Sequence, residues 1–161
     1  MKGMSKIIHG SDFFGVLDYC LNHDDPEIIS STISQSTAEH MAAEFEAIAE
    51  QRNDIKKPVW HNALRLPEGE HLSAKKWQEV AQDYMSQMRV PEGTQWLAIK
   101  HNNEEGEHIH IIANRVLSDG SVLSSSHESM RSTRVIADLE KSLEITQSKI
   151  FPLTTVTSLD C

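Results

Sequence analysis

Three of the nine histidines lie within ten residues, in the run His101-Asn-Asn-Glu104-Glu105-Gly-Glu107-His108-Ile-His110. On an extended strand alternate side chains share a face, so His108 and His110 point the same way, with Ile112 and Asn114 further along it. If Gln95–His101 pairs with His108–Leu117 across the polar Asn102–Glu107, His101 falls beside His108 and three imidazoles converge. Three nitrogen donors leave coordination positions open for water or substrate, the arrangement of a catalytic metal site. The expected cofactor is therefore one divalent ion on His101, His108 and His110. Imidazole-rich sites suit ions from manganese through nickel to zinc better than magnesium, which prefers oxygen; a bound phosphate oxygen would help a harder ion. Of the flanking Glu104, Glu105 and Glu107, Glu104 sits closest to His101 and is the expected base, or the group that holds a histidine.

The chain has two tyrosines, Tyr19 and Tyr84. At ~100° per residue, Tyr84 falls on the stripe of Trp77, Val80, Ala81 and Met88 and reads as core. Tyr19 lies roughly 110° from the centre of the Phe13, Val16, Leu17 and Cys20 stripe, outside the apolar face of its own helix. Next to a divalent ion such a phenol has a chemical use: it can attack a phosphodiester and form a covalent tyrosyl phosphate. His23, one turn on, is a rival nucleophile or a neighbour that positions the tyrosine. Cys20, on the apolar stripe, is expected to be buried.

These residues need a frame. Met4–His9 reads as a short strand ending at Gly10, Ser11 as an N-cap, and Asp12–Asn22 as an amphipathic helix broken by His23-Asp-Asp-Pro26. Glu27–Ser36 is a strand or a loop, and Thr37 to about Arg52 a stronger helix. Pro58–Leu66 reads as a strand, Ser73 to about Met88 as a capped helix, Gln95–His101 and His108–Leu117 as a hairpin, and Ser121–Leu123 as a short strand. A last helix is expected over Ser132–Ile145. The pattern predicts an α/β (α+β) sandwich: a mainly antiparallel sheet of about five strands flanked by helices. The whole of 1–161 reads as one domain, with 150–161 a tail.

Charge bounds the function. The chain carries a net −9, and from Ile7 to Gln51 there are nine acids and no lysine or arginine. The other 116 residues balance at 15 acids and 15 bases, so bulk attraction to nucleic acid or an anionic membrane is excluded while local contact is not. The acidic stretch suggests a face turned away from DNA, toward partner proteins. Contact candidates outside it are Lys56, Lys57, Arg65, Arg115, Arg131 and Arg134, with Ser124–Ser126 as phosphate donors. Arg115 points away from His110 on an ideal strand, which suggests packing against a helix. His61 shares a strand face with Arg65 and reads as a support for the site or as a polar sheet residue. Two cysteines and the lack of a long apolar run fit a soluble cytoplasmic protein without a membrane partner.

The stretch His108-Ile-His-Ile-Ile-Ala-Asn-Arg-Val116 resembles the third motif of plasmid relaxases, the mobilisation nucleases of the His-hydrophobe-His endonuclease superfamily. Phe13-Phe-Gly-Val-Leu-Asp-Tyr19-Cys-Leu resembles their first motif, and Lys57-Pro-Val-Trp-His61, Leu66-Pro-Glu-Gly69 and Trp77-Gln-Glu-Val-Ala-Gln-Asp-Tyr84 their middle region. The resemblance implies strand-specific nicking and rejoining at an origin of transfer in a bacterial cytoplasm. Tyr19 would be the nucleophile, and His101, His108 and His110 the ligands of manganese or magnesium. Single-stranded DNA would be the substrate, with relaxosome accessory proteins and a coupling protein as partners; Lys57, Arg65, Arg131 and Arg134 are the DNA contacts carried forward. Two positions depart from the pattern: Asn103 stands where many relatives have Asp, and Arg65 where many have Ser. Replication-initiation and transposition nucleases of the same superfamily share the chemistry, but there the tyrosine follows the histidines. A non-catalytic DNA-binding module decayed from a relaxase is the reading from another class.

Overall fold

In a computed structural model, residues 7–104 and 106–143 are described; Glu105 and the segment from 144 onward, including the expected tail, lie outside them. The elements run β1 (Ile8–Gly10), α1 (Phe13–Asn22), β2 (Glu27–Ser31), α2 (Ala38–Ala49), a 3-10 turn (Glu50–Arg52), β3 (Val59–Arg65), α3 (Ala74–Gln87), β4 (Trp96–Asn103), β5 (Gly106–Asn114) and α4 (Glu128–Leu143). The strands form one sheet of order β1-β3-β5-β4-β2, each neighbouring pair antiparallel. The expected fold is the one observed.

Strand alternation divides the core in two. One sheet face presents Trp60, Leu64, Ala98, Ile109, Ile111 and Ala113 to α3 and α4, which bury Trp77, Val80, Tyr84, Val135, Ile136 and Leu139 there. The other presents Val59, Leu97, Ile99 and Ile112 to α1 and α2, which bury Phe13, Leu17, Cys20, Met41 and Phe45. Phe13 and Phe45 stack with ring centres 4.6 Å apart, fixing the pair of helices to each other. Thr37 and Ser73 cap α2 and α3 by accepting from the amides of His40 and Lys76, satisfying donors that the first turn leaves free.

One segment left open in the sequence is resolved and three others depart from its reading. Glu27–Ser36 resolves into β2, which slips register between Ile28 and Ser30, so Ile29 is buried while Ile28 stays exposed. The hairpin strands run on past His101 and begin before His108, pairing Asn103 with Gly106, so that most of the expected six-residue loop is strand. The last helix begins at Glu128, four residues early, and the expected Ser121–Leu123 strand is a single bridge between Val116 and Val122. Among the described residues no helix is long and apolar enough to cross a membrane.

Candidate functional site

The face that packs under α1 and α2 changes character along its length. On β5 Ile112 gives way to His110 and His108, on β4 Ile99 gives way to His101, and on β3 Val59 gives way to His61 and Arg65. The helices cover the apolar end and the imidazoles occupy the hairpin end. His101 pairs with His108 in register, and Arg65 pairs with His108 from the other side. Ring centres lie 5.5 Å apart for His101 and His108, 4.6 Å for His101 and His110, and 5.0 Å for His108 and His110. One donor atom from each of the three falls within 4.8 Å of the others.

Each ring is held by a second contact. His61 Nε2 and His110 Nδ1 are hydrogen-bonded at 2.9 Å, which leaves His110 Nε2 for the cluster. His101, 0% exposed, lies with Nε2 2.7 Å from the Cys20 carbonyl of α1. A carbonyl accepts only, so that nitrogen carries the proton. His108 Nδ1 donates to the Gly106 carbonyl at 3.1 Å, across the start of its own strand. His61, open between two roles in the sequence, is therefore the partner that orients His110. The Cys20 thiol, His61 and His110 form a second group with donors within 4.8 Å.

Tyr19 is 50% exposed, with its ring centre 6.4 Å from that of His101 and stacked on His23 at 4.3 Å. His23 Nδ1 donates to the Tyr19 carbonyl at 2.8 Å, closing the last turn of α1. The chain then bends through Asp24 and Asp25, both left-handed at φ 57° and 54°. There Asp24 lies beside the hairpin: its carbonyl accepts from the Asn102 amide at 3.0 Å and its carboxylate from Asn103 Nδ2 at 3.1 Å. Asp24 Oδ2 is 3.8 Å from His101 Nδ1. Sequence reasoning treated Asp24 as a helix breaker only.

Burial sets the electrostatics. It drives His110 down to about 3, with His61, His101 and His108 adding to the shift; His61 and His108 are lowered for the same first reason. These rings are neutral at physiological pH, the form that binds metal. Burial pushes the Cys20 thiol up to about 12, so it stays protonated.

The remaining sequence candidates scatter. Glu104 is exposed at the hairpin tip, without hydrogen bond or ion pair among the described residues. Glu107 points to the opposite face, where its carboxylate accepts from the Leu72 amide at 2.8 Å and Trp77 Nε1 at 2.7 Å. Arg115 donates to the Lys57 carbonyl at 2.9 Å. Lys57 precedes β3 at the end far from the histidines, and Arg131 and Arg134 ride on α4, behind the sheet. Arg65 alone of the four carried forward shares the histidine face. The acidic stretch builds α1, β2 and α2, so its charge borders the site and does not lie behind it.

The family model of relaxases, MobA/VirD2-like, nuclease domain, matches residues 19–145, well over half of the chain. No curated protein and no solved structure matches it.

Proposed function

The chain belongs to the MobA/VirD2-like relaxase family, and from that premise we propose that it nicks and rejoins one DNA strand at a plasmid origin of transfer, with Tyr19 as nucleophile. The observation that carries this reading is a half-exposed phenol beside a cluster of three imidazoles. In the proposed reaction Tyr19 Oη attacks phosphorus, the bond to the 3′ oxygen breaks, and the strand keeps its 5′ phosphate on the tyrosine. The phenol loses its proton and the departing 3′ oxygen gains one. One phosphodiester replaces another, so rejoining by the 3′ hydroxyl needs no added energy source.

The donor set fits a divalent ion: three nitrogens within 4.8 Å, with a buried His101 Nδ1 that has no hydrogen-bond partner. His101, His108 and His110 would hold it, and when bound it would supply Lewis-acid polarisation of the phosphodiester. Nitrogen donors favour manganese over magnesium, the family's other ion, and suit zinc and nickel as well. Arg65, opposite His108 on the neighbouring strand, would contact a backbone phosphate near the reacting one. Lys57, Arg131 and Arg134 would meet flanking DNA only. Glu104 is the carboxylate assigned to receive the phenol proton from the hairpin tip. Accessory and coupling proteins are the partners that mobilisation requires.

The test is formation of a covalent adduct. Protein, manganese and single-stranded oligonucleotides tiled across the DNA flanking its gene should give a protein–DNA band that survives denaturation, and Tyr19→Phe should abolish it. An adduct that persists in Tyr19→Phe removes Tyr19 as the nucleophile.

A further inference from the structure

His101 is turned the unexpected way round. Its Nε2 donates to the Cys20 carbonyl, so in the neutral ring Nδ1 carries the lone pair. That Nδ1 is buried without a hydrogen-bond partner, and facing it at 3.8 Å is the carboxylate oxygen Asp24 Oδ2. Two electron-pair donors this close repel unless positive charge lies between them. Two donors each about 2.1 Å from one ion lie at most about 4.2 Å apart, so the separation is within reach of a shared cation. Asp24 is held there by the hairpin: the Asn102 amide donates to its carbonyl and Asn103 Nδ2 to its carboxylate.

We propose that Asp24 supplies a carboxylate to the metal position of the histidine cluster, with His101 binding through Nδ1. This rests on the reading of His101, His108 and His110 as a metal site. Asp24 thereby gives a nitrogen-only donor set the anionic oxygen that hard ions prefer, which reconciles three imidazoles with manganese or magnesium. It also binds the exit of the nucleophile helix to the metal, since Asp24 follows Tyr19 by five residues on the same segment.

Manganese binding to the DNA-free protein, measured by calorimetry and by the loss of the free-ion paramagnetic resonance signal, tests this without activity. Asp24→Asn keeps the shape and tolerates the left-handed backbone; it should weaken manganese by about tenfold or more, while Asp25→Asn leaves it unchanged. Wild-type affinity in Asp24→Asn, when His108→Ala plus His110→Ala abolishes binding, overturns the role of Asp24 alone. Wild-type affinity in the double histidine variant overturns the metal site with it. Nitrogen NMR with zinc is the second readout: the His101 Nδ1 resonance should move on binding, and movement of Nε2 instead overturns the proposed ligation.

Discussion

Glu107→Ala should destabilise the protein by about 3 kcal/mol. Glu107 is 4% exposed, one residue from His108 but on the opposite face, and it accepts from Trp77 Nε1 at 2.7 Å and the Leu72 amide at 2.8 Å. Hydrogen bonds to a charged acceptor contribute about 1.5–3 kcal/mol each. Trp77 is fully buried, so its indole N–H finds no water in the variant, whereas Leu72 is half-buried and water can replace part of its bond. His71 is exposed and Lys100 Nζ is 3.9 Å away, so both add little. Removing the buried carboxylate recovers part of its desolvation cost, which keeps the sum near the lower end of two full bonds. Burial alone would raise the Glu107 pKa, but the Leu72 amide, the Trp77 indole, His71 and Lys100 together hold it below 4.5. The folded carboxyl thus binds protons less readily than the unfolded one. Its stabilisation is present above the ordinary carboxylate range and is lost as pH falls through the lowered value. Urea unfolding followed by far-ultraviolet circular dichroism should show the wild-type advantage at neutral pH and its decline below 4.5, at unchanged denaturant slope. A loss under about 1 kcal/mol, or one independent of acid, would refute the charged-acceptor argument.

Acidifying the metal-free protein should weaken it through the histidines. His110 stays neutral when folded down to about 3 but titrates near 6.5 when unfolded, so its stabilisation is present above 6.5 and lost on acidification. By about pH 5 the cost is ~2 kcal/mol from His110 alone, and His110→Gln should flatten the melting temperature against pH. Tyr84→Phe should cost about 1–3 kcal/mol in urea unfolding, because it strands two buried partners, Asn62 Nδ2 and Ser132 Oγ. Cys20, fully buried with its thiol near 12, should resist alkylation at neutral pH in a Cys161→Ser background and react once denatured; rapid native labelling counts against that burial.

Strand alternation made the histidine face legible from sequence, and helical periodicity separated exposed Tyr19 from buried Tyr84. The same alternation places Glu107 opposite His108; the acidic run from Glu104 to Glu107 read as loop because charge at a hairpin tip resembles loop composition. The early start of α4 was hidden because Glu128-Ser-Met-Arg131 has no apolar stripe; its anchor is long-range, Glu128 accepting from Trp60 Nε1 at 3.3 Å and pairing with His9 at 2.9 Å. Asp24 was invisible for a similar reason. Nothing local marks it, and its neighbours Asn102 and Asn103 come from the far side of the chain.

The sheet order separates the two halves of the site by mechanical strength. The three histidines proposed as ligands sit on β4 and β5, in the interior of the sheet, with a partner strand on each side. Tyr19 rides on α1, strung between β1 and β2, the two outermost strands, of three and five residues. Short edges open first in native-state hydrogen exchange, while interior strands open only with the whole molecule. The proposed nucleophile is thus carried by the part of the frame that can yield without unfolding, over a histidine platform that cannot. A tyrosine so carried would have the slack to move with a DNA strand bound to it while the three histidines stay fixed, and Asp24, on the yielding segment, would set the limit of that movement.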